Sequence, residues 1–190
     1  MYEKDKKNGW KGGEDVLARI GILWGLGGVI ALLSSAVLRL VGLSIEAFGY
    51  TWDWRHWTVF ILNIAFMAYS EGYKGFQKSF APRVVARAQA LRESPSFLRL
   101  LLAPLFCMGY FHATRRRLIS VYALAIGIIT LIVAFQYISQ PWRGILDCGV
   151  VIGLAWGIAS IGVLAVKAWL EPGNTQAADL PESHVPTTTA

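Results

Sequence analysis

Charge is what this chain has least of. Charged residues make up 16% of its 190 positions, against roughly 25% in a soluble domain, while 55% are hydrophobic. That balance excludes an ordinary soluble globule. Cysteine is scarce too: Cys107 and Cys148 stand alone in separate segments, which excludes a disulfide framework and a CxxC metal pair. With no base placed beside either, both read as inert thiols. Glycosylation sequons are missing, in keeping with a bacterial inner membrane.

Catalytic signatures are equally short. There is no P-loop, no HExxH motif and no dinucleotide fingerprint, and Gly25-Leu26-Gly27-Gly28 lies inside an apolar run, where glycine serves packing. Carboxylates do not cluster, so two-metal lipid chemistry, a metal site and a cofactor are not implied. No charge sits deep inside the long apolar runs. Transporters place ionisable groups along their pathways, so a channel or transporter ranks last among the functions considered.

What the chain does have is long apolar stretches. Residues 20–38 carry no charge; at 1.5 Å per residue they cover about 28 Å, close to the roughly 30 Å hydrocarbon core of a bilayer. The pattern predicts an all-α polytopic membrane bundle with four transmembrane segments, at about 18–43, 56–73, 118–140 and 147–169. Ser34-Ser35-Ala36 allows the first run to be read instead as a cleaved secretory signal. Four acids precede it, however, and apolar sequence continues through Leu43, which favours a span. A polar cytoplasmic tail is expected over 1–15. A disordered tail is expected over 171–190, where three Pro and four Thr accompany little apolar content. Tyr50, Trp52, Trp54 and Trp57 suit an interfacial aromatic belt.

Segment 95–114 is ambiguous, because only 15 uncharged residues separate Arg99 from Arg115 and Pro104 interrupts them. That length suits an interfacial or re-entrant element better than a fifth transmembrane segment. Lys and Arg gather in cytoplasmic loops and so discriminate. If 95–114 does not cross, 15 of the 18 basic residues face the cytoplasm and only Arg39, Arg55 and Arg143 lie outside; if it crosses, the split is 12 to 6. The first arrangement makes both termini cytoplasmic. It also gathers nine basic residues, against Glu71 and Glu93, in one cytoplasmic segment at 71–117.

The net charge of +6 is therefore local. No nucleic-acid module surrounds the basic run, so nucleic acid is not the expected partner. Anionic phospholipid of the bilayer is, since each Lys or Arg near such a leaflet contributes about 1 kcal/mol. Lys74, Lys78, Arg83, Arg87, Arg115, Arg116 and Arg117 are the candidate lipid or phosphate ligands. Pro82 in a first helical turn, Ser79 as its cap, and Arg83 and Arg87 sharing a face predict a basic amphipathic helix lying on the membrane.

His112, followed by the Arg run, is the candidate acid or base, with Glu71 as its acidic partner. Each has a plainer reading. His112 then sits beside arginines that set topology, and Glu71 is a boundary carboxylate paired with Lys74 at i, i+3. Gly21 with Gly25, and Gly149 with Gly153 and Gly157, form small-xxx-small seams for close helix packing. Those seams serve either the chain itself or a homo-oligomer or membrane-protein partner, and Gly27, Ala31 and Ser35 line another face. Asn63 and Gln136 are candidates for hydrogen bonds between helices, and Arg143 with Asp147 for a boundary ion pair. The leading reading is a non-enzymatic membrane interaction or assembly protein with a basic cytoplasmic surface. The alternative is a metal-independent interfacial enzyme acting on a phosphorylated lipid, with His112 as acid or base and Arg115, Arg116 and Arg83 or Arg87 holding the phosphate.

Overall fold

A backbone surrounded by lipid must satisfy its own N–H and C=O groups, which a helix does within one segment. The described residues are accordingly helices and turns, with no strand among them. The computed structural model describes residues 2–93 and 97–170. In it α1 covers Tyr2–Ala47, α2 Trp54–Met67, a π-helix Ala68–Phe80, α3 Ala81–Glu93, α4 Phe97–Leu101, α5 Ala103–Met108, α6 Arg115–Phe135 and α7 Trp142–Leu170. The tail expected over 171–190 lies outside the described residues. At the other terminus α1 already begins at Tyr2, through the stretch expected to be a tail. Three helices are long and apolar enough to cross a membrane: Arg19–Ala47 within α1, α6 and α7. The expected span 56–73 is α-helical only to Met67 and π-helical from Ala68.

α1 ends by tightening its last turn, with Phe48 N–H donating to Ile45 O and Gly49 N–H to Glu46 O. α2 then starts at Asp53, whose carboxylate accepts the N–H groups of Arg55 and His56. Gly144 of α7 lies against Leu43 and Ala47 of α1. Asn63 Nδ2 of α2 donates to Ile145 O at 2.9 Å and to Leu146 O at 3.3 Å. Farther along, Gln89 Nε2 of α3 donates to Ala168 O at 3.4 Å. Between these ties the π-helix uses more residues than α7 over the same path, because its wider turns advance the chain less per residue. Ala81 N–H still bonds Phe76 O in the π pattern. Pro82 has no N–H with which to continue it, and α geometry resumes.

This overturns the surface helix expected from Pro82. α3 is the direct continuation of the π-helix, enclosed by α1, α5 and α7, and Ser79 lies inside the π-helix rather than at a cap. Ala81, Val84, Val85, Ala86, Ala88, Ala90 and Leu91 are buried, and their small size on most sides lets three neighbours close in. α4 and α5 are far below the roughly 20 residues a crossing needs. They pack on α1 at its glycines: Gly21 faces Leu100, Gly25 faces Ala103 and Cys107, and Gly28 faces Pro104. Gly21 also faces Leu91 of α3, so the start of the α1 span lies at the same end of the bundle as the end of α7. α6 stands apart. Only Val121 is buried in it, and from Tyr122 to Ala134 every residue except half-buried Ala125 is exposed; no other described helix packs along it.

Candidate functional site at the basic end of the bundle

α5 ends at Gly109, whose φ of +89° gives the left-handed cap that glycine tolerates best. Carbonyls at a helix end have no partner in their own helix, and here Arg87 supplies one. Its Nε donates to Phe106 O at 2.6 Å, and its Nη2 to Phe111 O at 2.7 Å and His112 O at 3.2 Å. The guanidinium also lies 4.4 Å from the Phe106 ring centroid. Arg87 is 2% exposed. It was expected among the cations that face lipid; the carbonyl-rich turn after α5 draws it inward instead, because a planar fork can reach several acceptors at once. His112 adopts a φ of +50°, a region uncommon outside glycine but tolerated by histidine. That conformation turns its carbonyl to Arg87 and leaves the imidazole exposed, 5.4 Å from the Phe111 ring.

Of the triple arginine run, Arg115 and Arg116 are exposed in the first turn of α6, and Thr114 makes no side-chain cap there. Arg117 is half-buried beside Gly109 and engaged within the protein, as is Arg83. Lys74 and Lys78 are exposed on the π-helix. Their ammonium groups lie over tyrosine rings, Lys74 4.8 Å from the Tyr69 centroid and Lys78 4.7 Å from that of Tyr73. The two tyrosines are themselves stacked at 6.1 Å. This ladder is a product of the π register, which brings residues five apart onto one face.

Glu71 takes neither of its expected partners. It is half-buried, with its side chain against Gly153 of α7, and among the described residues no hydrogen bond or ion pair joins it to Lys74 or His112. The glycine seams are filled from within the chain. Gly149 receives Asn63 and Met67, Gly153 receives Glu71, and Gly157 receives Phe76. Cys107 is buried beside Gly25 and Cys148 is half-buried. No group of three His, Cys, Asp or Glu suited to a metal occurs among the described residues.

The opposite end is aromatic. Trp52 stacks on Phe48 at 4.8 Å and meets Trp57 and Phe60 edge-on, and His56 lies 4.4 Å from Trp142. Asp53 caps α2 here. Its carboxyl is held below the usual range, chiefly by the His56 N–H and further by the nearby His56 ring. No family model matches the chain, and no curated protein or solved structure does.

The contacts missed from sequence include the Tyr–Lys ladder, the Trp156 Nε1 donation to Gln77 Oε1 at 2.8 Å, and the Trp24 Nε1 donation to Leu101 O at 3.3 Å. Only the ladder had a signal, the five-residue spacing of Tyr69 to Lys74 and Tyr73 to Lys78.

Proposed function

We propose that this chain is a polytopic membrane protein without a catalytic role, an interaction or assembly protein whose basic end holds anionic phospholipid headgroups. The observation that carries this reading is the placement of Arg115 and Arg116. Both are exposed in the first turn of an apolar helix, with no acid in that turn, and the helix dipole disfavours cations there. The helix's own electrostatics therefore give no reason for the pair. A layer of phosphate oxygens does, and the guanidinium fork matches it. Lys74 and Lys78 add two exposed cations whose ammonium groups lie over tyrosine rings. They stand on the stretch of π-helix beside Gly153 and Gly157 at the middle of α7, from which long lysine stems can snorkel toward the basic end.

Four crossings suit this reading: α1, α2 with the π-helix, α6 and α7, with α4 and α5 re-entering on the basic side. The shared end of α1 and α7, beside Arg87 and the start of α6, supports a common compartment for both termini. The positive-inside rule makes that compartment the cytoplasm, and the cluster around Trp52 then marks the outer interface of a bacterial inner membrane. The enzymatic alternative asked Arg83 or Arg87 to hold a phosphate beside His112. It is the weaker reading, because the Arg87 guanidinium is committed to backbone carbonyls.

Lipid selectivity tests the proposal. The purified protein is placed in vesicles of phosphatidylglycerol and phosphatidylcholine, and brominated versions of each lipid quench its tryptophans. Phosphatidylglycerol should be preferred, and Arg115→Ala with Arg116→Ala should cut the preference by roughly fivefold per charge removed. The effect should shrink as salt is added. His112→Ala should leave it unchanged. Equal quenching by the two lipids in the unmodified protein sinks the proposal.

A further inference from the structure

At the aromatic end of the bundle, α1 and α7 enclose a polar cluster that apolar packing does not explain. Asp147 is 3% exposed and Ser44 is 6% exposed. Arg143, one turn earlier on α7, brings its Nε to 3.9 Å from Asp147 Oδ2, which is beyond a direct hydrogen bond. Asp147 Oδ2, Arg143 Nε and Ser44 Oγ are all buried, and none has a hydrogen-bond partner within the protein. Because Gly144 lies against Leu43 and Ala47, the turn of α1 that holds Ser44 packs on the turn of α7 that holds this pair, and the Ser44 hydroxyl lies beside the neighbouring Cys148 thiol. Gln140 is not a further partner. It already donates to Leu43 O at 3.2 Å and accepts from Gly144 N–H at 3.1 Å.

A carboxylate oxygen, a guanidinium N–H and a hydroxyl buried without partners would each be costly. Proteins place internal water where two to four such groups converge. Two atoms 3.9 Å apart are both within hydrogen-bond reach of one oxygen set between them. A cation is disfavoured there by the guanidinium and an anion by the carboxylate. Water alone can donate to Asp147, accept from Arg143 and still bond a hydroxyl.

We propose that a single internal water bridges Arg143 Nε, Asp147 Oδ2 and Ser44 Oγ, tying α1 to α7 independently of any lipid at the other end. The test is a water-resolving density map of the full chain in lipid nanodiscs, with Ser44→Ala solved alongside. One peak is expected at about 2.7–3.2 Å from both Arg143 Nε and Asp147 Oδ2 and within reach of Ser44 Oγ, and it should weaken or move in Ser44→Ala. The thermal midpoint should also fall in Ser44→Ala but not in Ser35→Ala, whose exposed hydroxyl only bonds back to Leu32 O. A map with no peak there, Nε and Oδ2 closed to a direct bond, or an identical peak and midpoint in Ser44→Ala overturns the proposal.

Discussion

Arg87 shows how a charge in a basic segment can end up serving the backbone. Its three carbonyl partners belong to the turn that ends α5 and leads to α6. Replacing it with methionine keeps most of the stem but leaves Phe106 O with only the Gly109 N–H and strands Phe111 O and His112 O, and should destabilise the fold by about 3 kcal/mol. Arg87→Lys should recover only part, since an ammonium lacks the fork. Unfolding of the purified variants in detergent reads both, and an Arg87→Met protein as stable as the parent would refute the role. At the other end Asp53 makes a pH-dependent contribution. Its folded carboxyl titrates below the ordinary value because the His56 N–H stabilises the charged form. Its share of stability is therefore complete above the ordinary Asp range, near pH 4, and is lost as pH falls through the lowered value. The fluorescence of Trp52 and Trp57, packed edge-on beside this cap, should change in acid, and Asp53→Asn should remove that component. An unaltered acid titration in Asp53→Asn would discard the assignment.

Among the elements, the glycine seams give a comparison built into single helices. Gly25 faces Ala103 and Cys107, whereas Gly27, two residues on, has nothing within 4 Å; Gly157 faces Phe76, whereas Gly162 is open. Leucine at Gly25 or Gly157 should therefore cost about 1–3 kcal/mol through overpacking, and leucine at Gly27 or Gly162 close to nothing. Denaturation in detergent tests this, and equal losses at all four positions would contradict the packing. The small-xxx-small spacing was legible in sequence, but what fills a seam is a tertiary fact that spacing alone does not carry. The same limit explains the misreading of α3. Polar composition read with an α period suggests a surface helix, yet the π-helix before it shifts the register and its alanines admit three neighbours. Arg87 is buried because acceptors wait 19 to 25 residues away, a distance no local pattern spans. The α1 span, α6 and α7 were legible for the opposite reason, since an uninterrupted apolar run needs no partner to declare itself.

For the whole molecule the decisive question is how many times the chain crosses, because it determines whether the cations act together. With α4 and α5 re-entrant, Arg116 shares a compartment with Lys74 and Lys78 and opposes Arg55. With segment 95–114 crossing, Arg116 and Arg55 share the outer side and the basic surface is divided. Both positions are exposed, so single cysteines there report topology with little disturbance, in a background carrying Cys107→Ala and Cys148→Ser. An impermeant thiol reagent applied to intact cells should label Arg55→Cys at once and Arg116→Cys only after permeabilisation. Labelling of both in intact cells would mean that 95–114 crosses, which separates Arg115 and Arg116 from Lys74 and Lys78 and leaves no single anionic-lipid surface. Labelling of Arg116→Cys alone would invert the molecule, placing its basic end outside against the positive-inside rule. Only the first pattern keeps the exposed cations on the leaflet whose anionic lipids they are proposed to hold.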